Sequence, residues 1–397
     1  MNMKKEIKQL ATDLYPQVIE WRRTIHANPE LSFEEYETSK YISAVLKKLN
    51  IKHTKGWAKT GIVAIIKGKN PKKKTIALRA DIDALPIVEK NKVAYKSKNE
   101  GVMHACGHDV HTSNMLGAAA ILNQCKDSFE GTVKIIFQPG EEKLPGGASL
   151  LIKEGVLKDP KPNSIIALHV HPPLQAGKVG FRPGMYMASS DELYVTVKGK
   201  GGHAAVPQGN IDPILITSHI ITALQQMVSR RANPNIPTVL SFGKINSTGG
   251  ATNVIPNEVK LEGTFRTFDE SWRKQAHKLM TKLADNMAKS MGGACDFRIA
   301  NGYPFLKNDN NLTSRMHSFA QDYLGKSKVV DLPRRMTSED FAFYSQKIPA
   351  CFFRLGTSNT KKKITSNVHT DTFNIDESAL KLSIGLTAWL AIQELAI

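Results

Sequence analysis

The chain is predicted to fold as an α/β protein, a layered sheet with helices on both faces, interrupted by a smaller ferredoxin-like unit. Three observations lead there. Short β-rich runs alternate with helical stretches through the first half, the pattern of strands joined by helices. From about residue 186 the order becomes β-α-β-β-α-β. After about residue 302 the α/β pattern resumes, so the middle unit reads as an insertion. The expected boundaries are 1–185 with 302–397 for the larger domain and 186–301 for the inserted one. A chain of 397 residues is too long for a single ordinary core.

Taken in order, residues 1–50 carry apolar positions three and four apart and are expected to be helical, with a break at Pro29. Strands are expected at TGIVAIIKG (60–68), KTIALRADI (74–82), GTVKIIFQP (131–139) and SIIALHV (164–170). A small-residue helix from about His111 to Cys125 lies among them. In the insertion, DELYVTVKG (191–199) alternates like a half-buried strand. Asp212 to Arg231 reads as a helix opened by Asp-Pro, with Asp at the N-cap and Pro at the first helical position. Two strands follow at IPTVLSFGKI (236–245) and NEVKLEGTFRTF (257–268). A helix from about Glu270 to Met291 and the strand ACDFRIA (294–300) complete the unit.

Hydrophobic content of 41% and charged content of 23% are those of a soluble globular protein. The net charge is +18, from 54 Lys+Arg against 36 Asp+Glu. The basic residues are dispersed and aromatics make up only 7%, which argues against a nucleic-acid partner. A solvated surface with a general pull on anionic substrates is expected instead. No apolar run approaches the roughly 18–20 residues that span a bilayer, and the amphipathic N-terminus lacks a signal peptide's apolar core. No membrane partner is expected, and the expected location is cytoplasmic. The four cysteines (106, 125, 295 and 351) are too scattered for a disulfide framework.

The chemistry concentrates in a few segments. HACGHDVH (104–111) places Cys106 and His108 two residues apart. An extended segment would point both side chains the same way, with Asp109 able to orient a ligand ring. FQPGEE follows a strand with Glu141 and Glu142, so one carboxylate can hold an ion while its neighbour faces water. RADIDALP (79–86) presents Asp81 and Asp83, ALHVHP presents His169 and His171, and NVHTDTF presents His369. Thiolate, imidazole and carboxylate are transition-metal ligands. These candidates fall at or just past strand ends, where open α/β sheets place their sites. In the insertion stand His203 (KGKGGHAAVP), Asn253 (TNVIPNEV) and Arg266 (GTFRTF). An imidazole, an amide and a guanidinium can bind a polarised carbonyl oxygen and a carboxylate. The set implies metal-dependent hydrolysis.

With HANPELSFEE (26–35) and TSEDFAFY (337–344), these segments run in one order over essentially the whole chain. They resemble the zinc- or manganese-dependent amidohydrolases that include aminoacylase, hippurate hydrolase, auxin-conjugate hydrolase, N-acetyldiaminopimelate deacetylase and related carboxypeptidases. The resemblance implies a di-metal exopeptidase-like catalytic domain on a mixed sheet, with the insertion as a lid and dimerisation domain. It implies two divalent ions per subunit, zinc or manganese, with cobalt or nickel as further options. Carried over by motif, Cys106, His108, Glu142, His169 and His369 are the expected ligands, with Cys106 shared. Glu141 is the expected general base and acid on a metal-activated water, supported by Asp81 in preference to Asp83. His203 is expected to reach across a dimer interface to steady an oxyanion, while Asn253 and Arg266 hold the carboxylate of the released amino acid. Glu339 is expected near the metals, and His26 and Glu30 in structural roles. The implied substrate is an N-acyl amino acid or short peptide, and the implied assembly a homodimer or higher homo-oligomer. A dipeptidase, aminopeptidase or carboxypeptidase, or a non-catalytic binding module of the same fold, are the alternatives.

Overall fold

The computed structural model describes residues 3–397, so the first two positions of the expected N-terminal helix lie outside the described residues. The chain divides into two compact units. One takes the chain up to Tyr186, Lys307–Pro333 and Asp340–Ile397; the other takes Met187–Leu306 and Arg334–Glu339. The short 334–339 piece is therefore grouped apart from the C-terminal segment that surrounds it.

The larger unit is built on a mixed sheet of eight strands. Its middle four, Thr132–Gln138, Thr75–Asp81, Ser164–Gln175 and Ala350–Ser358, lie side by side and run parallel. Strands covered on both faces read as continuous apolar runs, and three of these four are buried at every position. Gly61–Lys67 adds antiparallel to Thr132–Gln138, and Lys52–Trp57 pairs with it at the edge. Asp81 stands level with Gln138 across the central pair, so both strands release their chains at one height.

A helical layer of Met3–Ala27, His108–Gln124 and Ser378–Ala396 covers the sheet. Its helices approach closely at Gly117, where a Cβ would sit 2.7 Å from Ile384 and 2.9 Å from Val18. The 1–50 stretch resolves into Met3–Ala27 and Tyr36–Lys48, with Pro29 between them. The C-terminal helix and the central Ala350–Ser358 strand escaped the sequence reading. Both are buried almost throughout, and a buried apolar run does not by its period tell a strand from a helix.

The smaller unit is an antiparallel sheet in the order Thr238–Ser247, Glu258–Thr267, Asp191–Lys198, Ala294–Asn301, the ferredoxin-like arrangement. Leu193, Val195 and Val197 pack with Ile216, Ile220 and Leu224 of the Pro213–Leu224 helix and with Met280 of Glu270–Ser290. Asp212 accepts from the Ile214 and Leu215 N–H groups while Pro213 fills the first turn, so both helix-start signals act as read. No helix among the described residues is long and apolar enough to cross a membrane.

Candidate metal centre

The site forms where the central parallel strands end. Asp81 and Asp83 leave the Thr75–Asp81 strand, Glu141 and Glu142 follow Thr132–Gln138, and His169 lies within Ser164–Gln175. The HACGH segment is a turn and not the extended stretch expected from sequence. Gly107 adopts φ +82°, and a Cβ there would lie 2.7 Å from Val170 Cγ2, so the position accepts only glycine without displacement. The chain turns sharply after Cys106, and His108 opens a helix three residues earlier than expected.

Three potential ligand atoms from Cys106, His108 and His169 lie within 4.8 Å of one another, and so do those of Cys106, Glu142 and His369. Cys106 is common to both groups. Its Sγ is 3.5 Å from His169 Nε2. Glu142 Oε1 is 3.2 Å from His369 Nε2 and 4.0 Å from His108 Nε2. Glu141 forms a further group with His108 and Glu142 within the same 4.8 Å limit. His369 sits at φ +62°, a conformation costing a non-glycine residue about 1–3 kcal/mol. Its N–H donates to the Ala105 carbonyl at 2.7 Å, which ties the C-terminal loop to the HACGH turn.

Both inner histidines present Nε2 to the cluster because Nδ1 is occupied. The His108 Nδ1–H donates to Asp83 at 3.0 Å, and the His169 Nδ1–H donates to the Val170 carbonyl at 2.7 Å. His111 is different. Its Nδ1–H donates to Asp81 at 2.5 Å and its Nε2 accepts the Val170 N–H at 2.9 Å, so neither nitrogen is left for a ligand.

The residues present fit a cation. His108 Nε2 is buried without a hydrogen-bond partner. Burial opposes charging of that ring, yet Asp81, Asp83 and Glu142 push it up to about 10. Burial, reinforced by Glu142, Glu141 and Asp81, pushes the Cys106 thiol well up. A pocket that drives both an imidazole and a thiol to keep their protons is a negative well. A divalent ion would supply the charge instead and release them as ligands.

Other expectations fare unevenly. Asp81 makes no hydrogen bond to Glu141. It accepts from Arg79 at 2.6 Å and from His111, while the Asp340 N–H donates to Glu141 Oε1 at 3.3 Å. Asp109 orients no ligand ring; one helical residue past His108, it turns away and accepts from Arg22 at 2.8 Å and His26 at 2.9 Å. Glu30 accepts the Glu37 and Thr38 N–H groups at the start of the Tyr36–Lys48 helix. His171 is buried but belongs to neither three-residue group containing Cys106. Glu339 is buried at the end of the 334–339 piece. In the smaller unit His203 pairs with Val254, and the Asn253 carbonyl accepts from Ala204 N–H, which brings His203 and Asn253 together. Arg266 lies on the Glu258–Thr267 strand with Nη1 buried and unpartnered. Arg79, His111 and Asp340 were missed. A lone arginine in the apolar run KTIALRADI was the signal for the first.

Residues 77–392 match Peptidase family M20/M25/M40. The chain is 37% identical over 396 residues to thermostable carboxypeptidase 2 of Saccharolobus solfataricus, covering 99% of both chains. It is 40% identical over 368 residues to N-acetyl-L-cysteine deacetylase of Bacillus subtilis, covering 92% of this chain and 85% of that one. A crystal structure of a dinuclear metal-binding M20 peptidase from Bacillus subtilis matches with a TM-score of 0.83 and 35% identity, covering 97% of this chain and 99% of that one. A family match over most of the chain, with full-length relatives at this identity, settles the class. The chain belongs to peptidase family M20/M25/M40 and is an enzyme that hydrolyses amide bonds.

Proposed function

We propose that the enzyme hydrolyses the amide bond of N-acyl amino acids at a centre for two divalent ions held by Cys106, His108, Glu142, His169 and His369. One observation carries the reading: the Cys106 thiol belongs to both three-residue ligand groups, with the Glu141 carboxylate beside them. When bound, such ions polarise a carbonyl and make water nucleophilic near neutral pH. Glu141, left for proton work, takes the proton of the attacking water and returns it to the leaving nitrogen. Asp83 and the Val170 carbonyl keep both rings turned so that Nε2 faces the cluster. Asp81 serves as a positioning residue under His108 and His111.

The unpartnered, buried Nη1 of Arg266 suits a substrate carboxylate, with Asn253 as a second contact. His203, exposed on the short Gly202–His203 strand, would serve the neighbouring subunit of a homodimer. Four free cysteines suit a reducing cytoplasm. Cleavage of short peptides is the second reading, favoured by the 37% identity to a carboxypeptidase.

Chelation should abolish activity, and Zn²⁺, Mn²⁺ or Co²⁺ should restore it. Glu141→Gln should retain metal and lose most turnover. Activity in a metal-free sample, or near wild-type turnover by Glu141→Gln, would sink the reading. A panel of N-acetyl and N-benzoyl amino acids and dipeptides separates the acyl and peptide alternatives.

A further inference from the structure

We infer that Arg79 is a positioning residue that aligns Glu141 for proton transfer, acting through Asp340. The inference rests on the reading of Glu141 as the base. Arg79 is fully buried in a core strand, and its three donor positions reach three different groups. Nε donates to Gln138 at 3.0 Å, Nη1 to Asp81 at 2.6 Å and Nη2 to Asp340 Oδ1 at 2.7 Å. The Asp340 carboxylate also accepts from Gln138 Nε2 at 2.8 Å and from the Ala148 N–H at 2.9 Å. That side chain is therefore tied to two strands and to the start of the Gly147–Glu154 helix. The N–H of the same residue donates to Glu141 Oε1. Fixing the Asp340 side chain fixes its backbone, and its backbone fixes one oxygen of the base.

Glu141 stands in the loop after Gly140, outside any helix or strand, so contacts from other segments of the chain set its side chain. The other arm of the guanidinium holds Asp81, which holds His111, which accepts the N–H of Val170 beside His169. One planar fork thus sets the base and a ligand-bearing strand in a common frame. Lysine offers a point charge and cannot reproduce that fork. A buried ion pair is by itself weak grounds for any role. What singles this one out is where it ends.

The test is a double-mutant cycle on the metal-loaded enzyme. Arg79→Lys should lower kcat about 10- to 100-fold, the scale of a misplaced catalytic group, with KM within about twofold and metal content unchanged. The Arg79→Lys, Glu141→Gln double variant should be no slower than Glu141→Gln alone within about twofold, since the two act as a unit. Multiplying losses, an unchanged kcat, or a loss of metal that accounts for the lower rate would overturn the inference. Asp340→Asn cuts the same link from the other side and is judged by the same outcomes if Arg79→Lys does not fold. If neither variant folds, the network is a folding element and the inference falls. A Glu141→Gln enzyme near wild-type rate would instead defeat the reading of the base.

Discussion

Asp83 holds His108 in place: its Oδ1 accepts the ring Nδ1–H at 3.0 Å and turns Nε2 toward the cluster. Its Oδ2 accepts the Glu142 N–H at 3.0 Å and the Ser32 hydroxyl at 2.7 Å. One buried carboxylate thereby orients two candidate ligands. Asp83→Ala should weaken metal binding about 10- to 100-fold, the usual cost of losing a group that orients a ligand. Titrating apo protein with Zn²⁺ or Mn²⁺ measures it, and an unchanged affinity would contradict this role.

Gly107 is where the backbone allows Cys106 and His108 to converge. Gly107→Ala should destabilise the fold by about 2 kcal/mol or more, from the left-handed conformation and the clash with Val170. It should also reduce metal affinity, because His108 starts its helix at the next residue. Thermal unfolding with and without metal separates the two effects.

Arg266 provides a test of substrate class. If its buried Nη1 receives a substrate carboxylate, the wild type should prefer an N-acetyl amino acid over its carboxamide by about 10- to 100-fold in kcat/KM. In Arg266→Ala that preference should largely vanish. A variant that kept it would place the carboxylate elsewhere.

Glu35 carries a pH dependence. Burial, helped by the charge of Asp83, pushes its carboxyl up to about 7 from 4.5. Between those values the folded state holds a proton that the unfolded chain has shed, so this residue's contribution falls as pH rises across that window. The full swing is about 3 kcal/mol. Glu35→Gln can keep the bonds to the Gly140 and Phe33 N–H groups and to Thr60. Its stability relative to wild type should therefore grow by up to that amount from about pH 4.5 to 7. Urea unfolding of both proteins across the range checks this, and a parallel pair of curves would refute it.

Much of the fold was legible because its signals are local. Alternation in DELYVTVKG, the Asp-Pro start at Asp212 and the unbroken apolar runs of the central strands each act over a few residues. The Ser378–Ala396 helix, buried almost all round, shows little contrast between its faces. The same limit misled the reading of Asp109, where an extended segment was assumed and a helix carries the side chain away from the ligands.

Local chain chemistry fixed the inventory: which thiol, imidazoles and carboxylates the protein has, and that Asp81, Asp83, Glu141 and Glu142 stand at or just past strand ends. Tertiary structure decided which of them meet. Cys106 lies 63 residues before His169 in the chain, and Asp340 lies 199 residues after Glu141. Bonds over such separations depend on the register of parallel strands and on single turns such as the one at Gly107. A ligand type is a property of one side chain. Its partner is a property of the packing, which no short stretch of chain encodes.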